Sequence, residues 1–314
     1  MLDSKRMRSL HKGQGMKVGL QIFSFTWPGG NGVIGPTLAR VVSTADEAGF
    51  DSIWVMDHFF QIMGEGTESQ PMLEGYTTLG FAAAHSRRAR LGLMVGGIHH
   101  RQPGLLVKAV TTLDVLSGGR AWLGLGAAWN QQESDGLGLP FPPLSQRFEL
   151  LEETLQFAYG MFEGERGSDA AFESGHIHAA RLLNSPQSLS RPRVPILIGG
   201  SGERKTLRLV AKYADACNVF GDPATAARKF DVLRQHCETV GRPYDEIERT
   251  MLLPVNLAGD GWGDPQTPDQ IVEQATALAE AGVQHLILGV GGVHDPATLD
   301  LACGKLLPTI KSLG

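Results

Sequence analysis

Eight short apolar runs punctuate this chain, and each closes on glycine or on a small or polar residue before a helical pattern begins. In order they are Lys17–Phe23, Asp51–Met56, Leu91–Val95, Trp122–Leu125, Val194–Ile198, Ala216–Phe220, Glu248–Leu257 and His285–Gly289. Apolar rather than alternating runs are what strands need when both faces of a sheet are covered, which is the condition of a parallel sheet. The segments between them read as helices: Pro36–Ala48 with proline at its first position, Tyr76–His85, Gly104–Leu116, Phe148–Phe162, Glu203–Tyr213, Pro223–Val240, Pro268–Ala281 and Pro296–Leu307. Eight strands alternating with eight helices predict an α/β fold, a (β/α)8 TIM barrel. An open doubly wound sheet competes less well, because the glycine turn after the first strand lacks GxGxxG spacing leading into a helix. After Phe162 a long stretch including FESGHIHAARLLNSPQSLSRP has no clear period and exceeds a routine connection. An insertion between strands 4 and 5, lying over one face, is expected there.

The chain of 314 residues suffices for one large barrel. The polar, basic residues 1–15 predict a disordered N-terminal tail, and 16–314 a single barrel domain. The tail lacks the apolar core of a secretion signal, and three cysteines (Cys217, Cys237, Cys303) at irregular spacing suit reduced thiols, so a cytoplasmic protein is expected. A net charge of −5 without basic runs argues against nucleic acid as a partner, and no apolar segment approaches a membrane span.

A barrel of this kind carries its site at the carboxyl ends of the strands. The residues there are rich in glycine and imidazole and poor in carboxylates. Gly126, Ala127, Ala128 and Asn130 follow strand 4, and Gly199, Gly200, Ser201 and Gly202 follow strand 5. Loops this bare expose backbone N–H groups, and the second is expected to run directly into a helix, so both are candidate phosphate cradles; plain turns are the bland reading. Asp57-His58 follows strand 2. Adjacent residues at a strand end point to opposite sides, so one faces the lumen while the other props a loop, and an imidazole titrates in the range useful for proton transfer. His99 and His100 follow strand 3. A metal would need a third ligand from His58 or Asp57, and strands 4 to 8 supply almost none, so no metal is expected.

Several longer segments together resemble the luciferase-like monooxygenase superfamily, in its branch of coenzyme F420 (deazaflavin)-dependent oxidoreductases. They are ADEAGFDSIWVMDHFF (Ala45–Phe60), LEGYTTLGFAAAHS (Leu73–Ser86), QPGLLVKAVTTLDVLSGGRAWLGLGAAWN (Gln102–Asn130), NSPQSLSRPRVPILIGGSGERKTLRLVAKYAD (Asn184–Asp215) and TPDQIVEQATALAEAGVQHLIL (Thr267–Leu288). The resemblance implies a flat cofactor in the barrel mouth, with its phosphate on Gly126–Asn130 and Gly199–Ser201. It places Asp57 and His58 beside the ring, with His58 as the proton-transfer group. It also implies a bulge with a non-proline cis peptide behind the ring, involving Val95, Gly96 and Gly97. A homodimer is implied as well.

The expected activity is hydride transfer between F420 and a small organic substrate bearing a C=C, C=N or C=O bond, or the corresponding alcohol. The alternative keeps the fold but uses reduced FMN and oxygen as a monooxygenase; a metal-dependent hydrolase and a non-catalytic binding barrel are further competitors. Relatives commonly read Thr-Gly, then Asn or Val, then Thr-Tyr-Arg-His, where this chain has Gly96-Gly97-Ile98-His99-His100-Arg101-Gln102. His99 and His100, with Trp27 and Glu74, are therefore the candidate substrate residues.

Overall fold

The computed structural model describes residues 15–259 and 263–313. Residues 1–14, nearly all of the expected tail, lie outside the described residues. Eight parallel strands form one sheet: β1 Lys17–Ile22, β2 Ser52–Val55, β3 Arg90–Leu93, β4 Ala121–Gly126, β5 Ile196–Gly199, β6 Ala216–Val219, β7 Glu248–Val255 and β8 His285–Val290. Each pairs with the next, β8 pairs with β1, and β4 pairs with β5, so the sheet closes on itself. A two-residue ladder, Gly96–Gly97 against Leu125–Gly126, extends the wall above β3.

Side chains sort by strand periodicity. Trp54, Met94, Trp122, Leu197, Ala216 and Ile287 cluster in the lumen, whereas Val18, Leu20, Ile22, Ile53, Leu123 and Ile198 join the larger core beneath the helices. Two tryptophans fit side by side because Gly92 lies between them: a β-carbon there would come within 2.5 Å of Trp54 and 2.9 Å of Trp122.

The outer helices are α1 Asn31–Ala48, α2 Gly75–Ala84, α3 Pro103–Leu116, α4 Gln131–Leu137, α5 Leu144–Met161, α6 Thr206–Tyr213, α7 Pro223–Val240, α8 Pro268–Glu280 and α9 Pro296–Leu301; a π turn (Ala302–Leu306) then leads into α10 Leu307–Lys311. Local chemistry sets their ends. Thr267 and Gln270 form a reciprocal capping box on α8, and Gly49 ends α1 at φ 99°.

Several helices depart from expectation. Helix α1 starts at Asn31, so Pro36 lies inside it; the N–H that proline lacks would have bonded Gly32, which is exposed, leaving that carbonyl to water. Helix α6 starts at Thr206 after a turn, so the Gly199–Gly202 loop does not run directly into its first turn. Helix α4 was not expected at all; at seven residues it is too short to show a period. From β4 the chain passes through α4 and α5 and then two small antiparallel ladders, Gly167–Ser168 with Leu182–Leu183 and Phe172–Glu173 with His178–Ala179. The buried Asp114 carboxylate in α3 holds the way back to β5, accepting from the Leu189 and Ser190 N–H groups at 2.7 and 2.8 Å.

Candidate active site at the carboxyl ends of the strands

Asp57, just past β2, is buried and fully engaged by protein donors. Its carboxylate accepts Arg101 Nη1 and Nη2 at 2.7 and 2.8 Å, the Gly97 N–H at 3.1 Å and His100 Nδ1 at 3.2 Å. Burial alone would push its pKa up, but the hydrogen bonds from His100 and Arg101 and the guanidinium charge outweigh it and hold the carboxyl below its usual range. Asp57 thus ties the loop after β3 to the end of β2. Gly75 leaves room for it: a β-carbon there would lie 3.0 Å from Oδ1.

His58 points the other way. Its Nδ1 lies 2.7 Å from Glu133 Oε1, while Oε2 of the same carboxylate accepts the Phe59 N–H at 2.7 Å. Glu133 belongs to the first turn of α4 and is almost wholly buried, whereas the His58 ring keeps an exposed edge and meets the exposed Trp129 edge-on at 5.4 Å. Desolvation would raise the Glu133 pKa; the bond to His58, its charge and the Phe59 N–H outweigh that and keep the group an anion.

His99 and His100 lie behind this surface rather than on it. His99 Nε2 bonds Ser134 Oγ at 2.8 Å, and burial, with the nearby charges of His100 and Arg147, pushes its pKa down to about 4, so the ring is neutral. His100 is wedged between Asp57 and Glu133, with Nε2 4.0 Å from Glu133 Oε1. Among the described residues no group of three or more His, Cys, Asp or Glu side chains is placed to hold a metal ion.

The floor of the mouth is glycine closed by one valine. The Met94–Val95 peptide is cis. The Val95 side chain projects between the ends of β4 and β5: a β-carbon on Gly126 would lie 2.8 Å from Val95 Cγ2, and one on Gly199 would lie 2.9 Å from both γ-methyls. Ala127 follows Gly126 half-buried, Ala128 takes φ 60°, and the Asn130 side chain caps α4 through the Gln132 N–H at 3.2 Å. Gly200 (φ 125°) spends its N–H on the Asn218 carbonyl at 2.9 Å, and Ser201 Oγ accepts from the Phe220 N–H at 3.0 Å. Inside the mouth the buried Asn218 donates to Thr250 Oγ1 at 2.9 Å and leaves its Oδ1 without a partner.

Trp27 and Glu74 follow the ends of β1 and β2 and are engaged within the protein. Trp27 is buried against Phe25 and stacks on His294. Glu74 caps α2 through the Thr77 N–H at 2.7 Å, pairs with Arg101 and lines a groove between α1 and α2. Sequence reasoning gave no role to Glu133 or Arg101. The spacing Asn130-x-x-Glu133 is that of a helix N-terminus and was the available signal. Arg101 carried none, since its partner lies 44 positions away.

The family description for luciferase-like monooxygenases matches residues 16–261. The chain belongs to the luciferase-like monooxygenase family. Among relatives of this luciferase-like protein is an F420-dependent glucose-6-phosphate dehydrogenase from Nakamurella multipartita, 27% identical over 330 aligned positions covering 89% of this chain and 94% of that one. Two solved structures share the fold. An F420-dependent secondary alcohol dehydrogenase in complex with an F420-acetone adduct superposes with a TM-score of 0.79 at 15% identity, covering 94% of this chain and 99% of that one. A riboflavin lyase with modified FMN superposes at 0.78 and 14% identity, covering 95% and 92%.

Proposed function

We propose that this luciferase-like protein is an F420-dependent oxidoreductase that moves a hydride between the deazaflavin and a small organic substrate. The observation that carries the reading is His58: one ring nitrogen is fixed on a buried carboxylate, while the ring at the end of β2 keeps part of its surface open beside Trp129. The residues fit a flat ring. Gly126 and Gly199 present no side chain, Val95 supplies an apolar back wall, and the unpartnered Asn218 Oδ1 offers an acceptor to a ring N–H. Gly126–Asn130 and Gly199–Ser201, apart from the Gly200 N–H that the Asn218 carbonyl takes, would hold the phosphate end through backbone N–H groups. The bound deazaflavin supplies or accepts the hydride. The chain's part is to orient the substrate, keep water out, and give or take at His58 the proton that balances the hydride.

Parallel titration with oxidised F420 and with FMN, followed by cofactor fluorescence, tests the cofactor. F420 bound at least tenfold tighter supports the reading; the reverse moves the protein to the alternative that uses reduced FMN and oxygen. With F420 and an authentic substrate, His58→Ala is expected to lower turnover by roughly 10²-fold or more with cofactor affinity nearly unchanged.

The same reading treats 16–314 as one barrel domain acting as a homodimer in the cytosol. Unpaired Cys217, Cys237 and Cys303 suit that compartment, and no helix of the described residues is long and apolar enough to cross a membrane. Helices α2 and α3 pack together and leave Phe81, Leu105 and Leu116 exposed on a face almost free of charge. The two charged groups on these helices are occupied: Lys108 bonds the Ser185 carbonyl, and Asp114 is buried. Such a face suits a second copy of the chain.

A further inference from the structure

We infer that Glu133 is a positioning residue that fixes which nitrogen of His58 does the proton chemistry. The inference rests on the reading of His58 as the proton-handling group and adds the partner that makes it competent. An ionised carboxylate only accepts hydrogen bonds. Glu133 Oε1 at 2.7 Å therefore requires His58 Nδ1 to carry the hydrogen. In the neutral ring this leaves Nε2 as the bare lone pair, ready to take a proton from an alcohol; in the cation Nε2–H is the acid, ready to give one to a substrate oxygen or nitrogen. Nδ1 stays protonated in both directions, so a single atom, Nε2, exchanges the proton. Among the described residues Nε2 has no protein hydrogen-bond partner, and it is not among the fully buried unpartnered atoms of a side chain that is 17% exposed.

The carboxylate is itself held on two sides. Its second oxygen takes the Phe59 N–H at 2.7 Å, which fixes it against the backbone immediately after His58. Helix α4, which carries it, is anchored by Ser134 on His99 at 2.8 Å and capped by Asn130. Glu133 does not reach the mouth: its side chain is only 1% exposed, so it acts through His58 and not on substrate.

The test uses the full chain with Glu133→Gln, Glu133→Asp and His58→Ala, and two readouts. The first is the nitrogen-15 spectrum of the His58 ring without cofactor. Wild type is expected to show the proton on Nδ1 in the neutral ring; Glu133→Gln, whose amide can also donate, is expected to mix or invert the tautomers. The second is the pH profile of turnover with F420. Glu133→Gln is expected to lower kcat about tenfold or more at unchanged KM and cofactor affinity, and to displace the limb due to His58. Adding Glu133→Gln to His58→Ala is expected to cost nothing further. Glu133→Asp, which keeps an acceptor-only group, is expected to restore the wild-type tautomer and part of kcat. A neutral ring protonated on Nε2 in wild type, or the same tautomer and pH profile in Glu133→Gln as in wild type, overturns the inference while His58→Ala still impairs turnover. Wild-type turnover in His58→Ala instead overturns the underlying assignment of His58, and the tautomer readout stands apart from it. If Glu133→Gln does not fold, Glu133→Asp with a wild-type tautomer supports the inference and with an altered tautomer overturns it.

Discussion

The Asp57 carboxylate and the Arg101 guanidinium lie edge to edge, joined by hydrogen bonds of 2.7 and 2.8 Å, with the acid wholly buried. Asp57 also takes the Gly97 N–H, so the ion pair sets where the loop after β3 stands over the barrel. Removing one partner strands a buried charge, which typically costs about 3–5 kcal/mol, whereas removing both strands none. Arg101→Met is therefore expected to lower the urea midpoint strongly, and Asp57→Asn with Arg101→Met to recover much of that loss. A double variant no more stable than Arg101→Met would mean that the guanidinium matters through its contacts with Glu74 and the rings of Tyr76 and Phe59.

Val95 and the glycines at the ends of β4 and β5 form a second coupled group. A methyl on Gly199 would enter both γ-methyls of Val95, and overpacking of this kind costs about 1–3 kcal/mol. Gly199→Ala is expected to lower the melting temperature and to weaken F420 binding, because the displaced valine rises into the space for the ring. Val95→Ala in the same chain should restore both. Gly289→Ala is the matched control: its nearest neighbours, Gln21, Leu252 and Phe23, stand at an ordinary 3.6 Å, so stability should hardly change.

These two groups mark where sequence reasoning succeeded and where it stopped. The barrel was legible because each strand is a continuous apolar run and each run ends in residues with little side chain, a pattern that few other folds require. Asp57, His58 and the glycine loops were legible because position at a strand end is a local property. The partners were not. Glu133 reaches back 75 positions to His58, and Arg101 reaches 44 positions to Asp57, so only the closed sheet brings them together. Trp27, Glu74, His99 and His100 stand out by type, and each also has a contact within the protein that no local pattern shows: Trp27 stacks on His294, Glu74 caps α2, and the two histidines bond Ser134 and Asp57.

The apolar face of α2 and α3 gives a prediction about assembly. Leu105 and Leu116 are 63% and 75% exposed on the same helix, eleven positions apart, which places them on one side. A charge there meets solvent in a monomer and a desolvated surface in a dimer. Leu105→Glu and Phe81→Glu are expected to yield a folded protein that sediments as a monomer while the parent chain sediments as a dimer. A parent chain monomeric at tens of micromolar, or variants that remain dimeric, would remove this face as the contact.

The opposite end of the barrel predicts how the protein responds to acid. There Glu248 accepts from His285 Nδ1 at 2.7 Å and from Lys17 Nζ at 2.8 Å, and the chain of bonds continues from His285 Nε2 to Ser52 Oγ at 2.8 Å, which also receives Trp54 Nε1 at 2.7 Å. Burial favours the protonated carboxyl, but the hydrogen bond and charge of His285, with Lys17, outweigh it and pull the Glu248 pKa from 4.5 down to about 2. A carboxyl whose pKa is lower in the folded state stabilises that state fully above the unfolded value and loses the contribution as pH falls through the folded one. Glu248 therefore contributes above pH 4.5, and its contribution drains away between pH 4.5 and about 2. Glu248→Gln is expected to be less stable than wild type at pH 7, by on the order of 3 kcal/mol. The gap should close as the two are unfolded at successively lower pH across that window. A gap constant from pH 7 to pH 2 would mean that the residue acts through packing and hydrogen bonding alone, and that the charge on this floor of the barrel adds nothing to stability.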